Sequence, residues 1–173
     1  MRFLPLLALL STASAGVLAP RHDKCLLQPD VDYLVDAYRS ILTLWEPAKA
    51  DFLADEGFFD YSDSINTVAG LATGFPIFPN KTAFVDRQTV APDNIPIVIA
   101  EVGPWNCNQI TIIWSATFTK VPGTEELPVR GIAVVGASYN DEQATFEIQN
   151  IKVEFNSMNY FRNTGGVCSR PSS

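Results

Sequence analysis

The order of patterns along the chain constrains the fold most: one long amphipathic helical stripe comes first, and four strand-like runs follow with no helix between them. From Val31, apolar side chains recur at Leu34, Val35, Tyr38, Ile41, Leu42 and Trp45, which is the spacing of one face of a helix. Pro29 suits its first turn, Asp30 and Asp32 complement the positive end of its dipole, and Pro47 closes it. Asp51 to Glu56 is expected as a short second helix ended by Gly57, and Lys81 to Gln88 as a third. Phe58 to Asn66 reads as a short strand or pocket-edge segment, and Gly70 to Pro79 as a loop. Ile95 to Val102 is a β-branched run stopped by Gly103-Pro104. In Gln109 to Lys120, alternation puts Ile110, Ile112, Trp114, Ala116 and Phe118 on one face. Val129 to Tyr139 is apolar on both faces, as a central covered strand is, and Ala144 to Asn156 is the last long strand. Helices first and a strand meander after give an α+β class, with the helices packed on one curved sheet face.

The amino terminus has the parts of a secretory signal: Arg2, an apolar run from Phe3 to Leu10, and small residues at Ala13-Ser14-Ala15. Met1–Ala15 is read as a cleavable signal peptide, with an alternative cut after Ala19. A membrane-spanning helix needs roughly 20 apolar residues, and this run is far shorter and contains Pro5. Residues 16–24 are then a flexible amino terminus, 25–168 a single domain, and 169–173 a disordered tail. The processed chain is expected to be secreted, or to act in the secretory lumen, with no membrane partner. The formal net charge is −7, and the basic residues are scattered. Nucleic acid is therefore excluded as a partner, because phosphate binding needs concentrated positive charge.

Three cysteines follow the signal: Cys25, Cys107 and Cys168. In an oxidising compartment two of them pair. Domain termini often lie close together, which favours Cys25 with Cys168 and leaves Cys107 as a buried thiol, although the spacing leaves the other pairings open. Asn80-Lys81-Thr82 is a glycosylation sequon.

Several short elements occur in a telling order. They are Cys25-Leu26-Leu27 before the long helix, Tyr61-Ser62-Asp63-Ser64-Ile65-Asn66, Trp105-Asn106-Cys107, Gly131-Ile132-Ala133-Val134, and Glu154-Phe155-Asn156-Ser157. In that order they resemble the secreted fungal members of the nuclear-transport-factor-2-like superfamily, over essentially all of Cys25 to Cys168. The resemblance implies a cone: a strongly bent antiparallel sheet wrapped around amino-terminal helices, with a pocket at the open end. Similar cones include scytalone dehydratase, polyketide cyclases and steroid isomerase. In size and layout the chain also looks similar to fungal hetero-Diels–Alder cyclases of tropolone–sesquiterpene biosynthesis. Some members of the superfamily only bind a ligand, or dimerise through the outer sheet face, so a homodimer and a non-catalytic carrier are both compatible with the resemblance.

Dehydratase-like and cyclase-like cones generally use a histidine, often beside an aspartate, as acid or base. The one histidine here, His22, precedes the domain, so that dyad is not available inside the cone. No spacing suggests a metal site, and no glycine-rich phosphate loop suggests a nucleotide or redox cofactor. The expected function is a cofactor-free cyclisation, cycloaddition, isomerisation or dehydration of a small apolar or aromatic, polyketide- or terpenoid-derived molecule. A pericyclic step suits such a chain, since positioning and a hydrogen bond to a carbonyl accelerate it.

On a strand, Tyr61 and Asp63 share a face. If that face is the cavity, Tyr61 polarises the substrate and Asp63 moves a proton, with Asn156 as an orienting group. The competing reading has Asp63 capping a turn and Tyr61 in the core. Glu154 is expected to pair with Arg130. Trp105, Trp114, Phe118, Phe155 and Tyr160 are candidate walls for the substrate.

Overall fold

The computed structural model describes residues 24–91, 93–119, 121–123 and 126–167. The expected signal peptide, His22, Cys168 and the 169–173 tail lie outside the described residues. Helix α1 (Gln28–Thr43) buries Val31, Leu34, Val35, Tyr38 and Ile41, the stripe read from the sequence. Asp30 accepts a hydrogen bond from the Leu27 N–H (2.9 Å), closing its first turn. The helix ends before Trp45, where the Lys49 ammonium donates to the Leu44 carbonyl and, at 3.4 Å, to that of Ser40.

The second helix differs from expectation. Pro47–Phe52 is a short 3-10 helix that takes in Asp51 and Phe52, and Leu53 to Glu56 does not continue it. Leu53 bridges to Ile148, and the Ala54 N–H donates to the Ile148 carbonyl (3.0 Å), so the chain is drawn onto the sheet edge at the point where a helix would have gone on. After it come strand β1 (Phe59–Tyr61), helix α2 (Asp63–Ala69), strand β2 (Pro76–Phe78) and helix α3 (Lys81–Val90). Four long strands follow: β3 (Val98–Trp105), β4 (Gln109–Thr117), β5 (Pro128–Asn140) and β6 (Thr145–Phe155). Helix α4 (Ser157–Asn163), absent from the sequence reading, closes the described chain.

The sheet has six strands in the order β2-β1-β6-β5-β4-β3. β3 to β6 form an antiparallel meander; β4 and β5 pair without interruption from Gln109↔Gly136 to Thr117↔Pro128, and β5 and β6 pair from Gly131↔Phe155 to Asn140↔Thr145 with one register shift between Gly136 and Ala137. The expected antiparallel sheet with helices on it is found, with one parallel joint: β1 runs parallel to β6, with Asp60 opposite Ile151. β3 continues through Gly103-Pro104 because it is an edge strand. A proline costs no ladder hydrogen bond on the open side, and the register slips between Val102 and Trp105. Along the first half of β5 one face is buried, with Val129, Ala133 and Val135 pointing inward, whereas Ile132 is exposed, so the cover expected on both faces is not found there among the described residues.

Helices and the inner sheet face share one core. Its aromatic centre is Phe84 of α3, met edge-on by Phe78 (5.4 Å between centroids), Phe58 (5.6 Å) and Trp45 (5.9 Å).

The disulfide expectation is corrected. Cys25 is bonded to Cys107, not Cys168. The turn between β3 and β4 folds back against the start of α1, where the Leu26 N–H donates to the Cys107 carbonyl (3.2 Å) and the Leu26 side chain is buried. That contact overrides the general closeness of domain termini. The bond joins residues 82 positions apart, so its loss releases considerable chain entropy. Cys25→Ser is expected to cost roughly 2–5 kcal/mol of stability, read from thermal melts. Non-reducing peptide mapping should recover Cys25 joined to Cys107; recovery of a Cys25–Cys168 peptide would contradict the pairing.

Candidate functional site

β1 is three residues long, and its alternation decides the chemistry. Phe59 and Tyr61 are partly exposed, while Asp60 between them is buried. Pairing with Ile151 aims the Asp60 side chain inward, into a cavity of about 380 Å³ between the helices and the sheet. Leu42, Ile65, Val68, Ile77, Ile95 and Val153 supply an apolar wall, and Trp114, Phe155 and Tyr160 an aromatic one.

At the inner end, three polar atoms are buried with no hydrogen-bond partner: Asp60 Oδ1, the Tyr38 hydroxyl and Trp114 Nε1. The Trp114 N–H lies near enough to favour ionisation of Tyr38 slightly, without reaching hydrogen-bond geometry. Unpaired polar atoms in a core are costly, and three of them border this one cavity. Burial pushes the Asp60 carboxyl up to about 8. The charge of Asp93 adds to this, and the backbone N–H of Tyr61 partly offsets it. Burial and the charge of Asp60 raise Tyr38 well above the ordinary phenol range, against the Trp114 contact. Burial together with Asp93 raises Tyr160 to about 12, with Arg87 opposing.

At the mouth, Gln88 is fully buried and holds Asp93 twice: its Nε2 donates to Asp93 Oδ2 (2.7 Å), and its Oε1 accepts from the Asp93 N–H (3.0 Å). Arg87 Nη2 lies 4.0 Å from the other Asp93 oxygen, with the arginine side chain 47% exposed.

Trp114 reaches the cavity because its partner on β5 is a glycine. A Cβ on Gly131 would lie 2.3 Å from Trp114 Cζ2, so any side chain there displaces the indole. The roof is set by Glu154. It accepts from the N–H groups of Asp63 (2.8 Å) and Ser64 (2.9 Å) and from the Ser64 hydroxyl, holding the first turn of α2 against β6. Ser62 adds the cap by accepting from the Ile65 N–H (3.0 Å).

These contacts relocate the residues expected from the sequence. Tyr61 and Asp63 do not line the cavity. Asp63 opens helix α2 and does not extend the strand. The Tyr61 hydroxyl donates to Asp63 Oδ2 (3.0 Å), raising the phenol, and the Gly74 N–H donates to Asp63 Oδ1 (2.7 Å). Asn156 caps α4 by accepting from the Asn159 N–H (3.1 Å). The expected Glu154–Arg130 pair is replaced by the cap on α2, because the strand-to-helix turn places two N–H groups on the carboxylate. Trp114, Phe155 and Tyr160 lie on the cavity. Phe118 packs against Tyr160 (5.5 Å) behind it, and Trp105 is exposed on the edge strand. Asn80 is exposed and caps α3 through its side-chain oxygen, which accepts from the Ala83 N–H (2.9 Å). The sequence reading missed Asp60, Tyr38 and Arg87. The alternation of Phe58, Asp60 and Ser62, an apolar residue in phase with a carboxylate, carries the signal for Asp60.

A family model described as NTF2-like domain matches residues 24–167. No curated protein matches the sequence. Among solved structures, PrhC from Penicillium brasilianum is similar at a TM-score of 0.53 and 12% identity, over 76% of this chain and 83% of that one. A protein described as a SnoaL-like polyketide cyclase from Shewanella denitrificans is similar at 0.52 and 10%, over 77% and 95%. A ketosteroid isomerase-like protein from Erwinia carotovora atroseptica is similar at 0.50 and 9%, over 73% and 94%. At these identities the likeness is one of fold.

Two stability measurements check the site. Between about pH 4 and pH 8 the folded protein holds a proton on Asp60 that the unfolded chain has released. Stability therefore falls as pH rises through that window and levels off above it. Asp60→Asn cannot ionise, so it flattens this slope and stabilises the protein at pH 8 by on the order of 2 kcal/mol; parallel melting curves for the two proteins would contradict the assignment. Glu154→Ala should cost about 2 kcal/mol and raise amide exchange across 63–69, with Glu154→Gln intermediate.

Proposed function

The chain belongs to the NTF2-like domain family, and from that premise we propose that it is a cofactor-independent enzyme acting on a small apolar molecule by proton transfer. The observation that carries this reading is Asp60, a carboxyl group buried in an apolar cavity with one oxygen unpartnered. A carboxylic acid whose proton affinity is matched to neutral pH can both give and take a proton. Protonated Asp60 donates to a substrate oxygen or unsaturated carbon. The resulting carboxylate removes a proton from a neighbouring carbon, and the acid is restored with no net change in charge. The Tyr38 hydroxyl and the Trp114 N–H hold the substrate oxygen as its charge changes, in surroundings that exclude water. The aromatic walls fix the orientation of the ring system. Isomerisation, cyclisation and dehydration all fit this cycle.

The mainly apolar, partly aromatic lining supports an apolar substrate, and the polyketide- or terpenoid-derived class expected from the sequence is kept as part of the proposal. Proton transfer by Asp60 takes precedence over the pericyclic route expected earlier, since the cavity does contain an acid. The disulfide supports secretory entry, and no helix among the described residues is long and apolar enough to cross a membrane. The exposed Asn80 suits a glycan carried through that route, and a homodimer through the outer sheet face remains part of the proposal.

Deletion of the gene followed by metabolite profiling should reveal an accumulating precursor, which the purified protein converts. Asp60→Asn should lower kcat by roughly 10²–10⁴-fold, and the wild-type rate should fall above about pH 8 as the acid ionises. An unchanged metabolite profile, or a fully active Asp60→Asn protein, would refute the reading.

A further inference from the structure

Beside the unpartnered Asp60 Oδ1, the cavity holds two unpartnered groups that can donate. Trp114 Nε1 can only donate, and the Tyr38 hydroxyl donates to any acceptor placed beside it; both are buried and unpartnered. At the mouth, Arg87 has donors and no acceptor. Its contact with Asp93 is long at 4.0 Å, and Gln88 already holds the second Asp93 oxygen. Arg87 is also the one cationic side chain on the cavity among the described residues. Apart from Asp60 and Asp93, the remaining lining is aliphatic and aromatic. A molecule that satisfies this arrangement accepts hydrogen bonds from the buried donors and from Arg87 and is otherwise apolar.

We infer that the substrate is an oxo acid, with a carbonyl or enol oxygen at the Tyr38–Trp114 end and a carboxylate at the mouth, where Arg87 selects it. This rests on the proposed site but not on its chemistry, because Arg87 acts on binding and Asp60 on proton transfer. Arginine suits the task, since its fork meets a carboxylate through two parallel hydrogen bonds. Asp93 sets the threshold. A ligand carboxylate must outcompete a long ion pair, whereas a neutral ligand leaves that pair in place, so the mouth discriminates by charge.

The test is calorimetric titration of the processed protein with 6-acetyl-2-naphthoic acid and with its primary amide, which is neutral and nearly the same shape. The acid is expected to bind about tenfold tighter than the amide. Arg87→Met should remove that preference while leaving amide affinity unchanged, and Arg87→Lys should restore part of it. Asp93→Asn should widen the preference. Arg87 is half exposed, and unaltered circular dichroism and melting of its variants would separate selection from folding. Equal affinity for acid and amide, a parallel loss of both in Arg87→Met, or no saturable binding of either probe would overturn the inference. Asp60→Asn separates the two readings: it should retain the acid preference even where turnover is lost. A failed titration beside an intact Asp60-dependent conversion would sink the oxo-acid inference alone.

Discussion

One carboxylate, Glu154, holds the roof of the cavity to its floor. It lies on the last strand of the sheet and accepts from two N–H groups and a hydroxyl at the start of α2. Those groups are orphan donors of a helix terminus, which need acceptors wherever the helix is packed. Satisfying them from β6 stops β1 after three residues and turns the chain over the cavity. The orientation of Asp60 follows: with Tyr61 opposite Lys152 and the helix beginning at Asp63, Asp60 opposite Ile151 faces inward. Ile65, Val68 and Leu71 then come down as the lining above it.

The cavity is expensive to the fold. A neutral carboxyl, a phenol and an indole N–H are buried beside one another without partners, each a loss that the surrounding core must offset. The offset comes from elsewhere: the aromatic cluster on Phe84, the long β4–β5–β6 pairing and the Cys25–Cys107 bond. A protein that needed only to fold would fill this space with apolar side chains. Polar groups kept in a core at such a cost are the pattern expected of a functional site.

What the sequence made legible was whatever depends on local periodicity. The stripe from Val31 to Ile41 and the alternation from Ile110 to Ala116 state which face is buried, and the structure agrees. Contacts between distant segments were not legible. Tyr61 and Asp63 share a face only if the strand runs on past Tyr61, and helix α2 begins at Asp63 instead. Nothing local shows that Glu154 supplies the cap that ends the strand at Tyr61. The same holds for the disulfide, since closeness of Cys25 to Cys107 depends on a hairpin folding back onto α1. Residue types also misled: Trp105 and Trp114 look alike as pocket walls, and only the register opposite Gly131 puts one indole inside. Arg87 passed unnoticed because one basic residue on a short polar helix has no pattern to distinguish it.

The parallel joint between β1 and β6 also bears on the order of assembly. Asp63 and Glu154 are 91 residues apart, and β1 has no other long strand beside it. The antiparallel hairpins of the meander close short loops and can form early, whereas β1 must wait for β6 and close a far longer loop. Until it docks, Asp60 stays hydrated and ionised at neutral pH, like an aspartate in any unfolded chain. The raised proton affinity of Asp60 therefore depends on β1 being docked on β6, and the buried acid exists only where that long-range pairing has closed. A chain halted one step short would possess nearly the whole sheet and still carry an ordinary carboxylate.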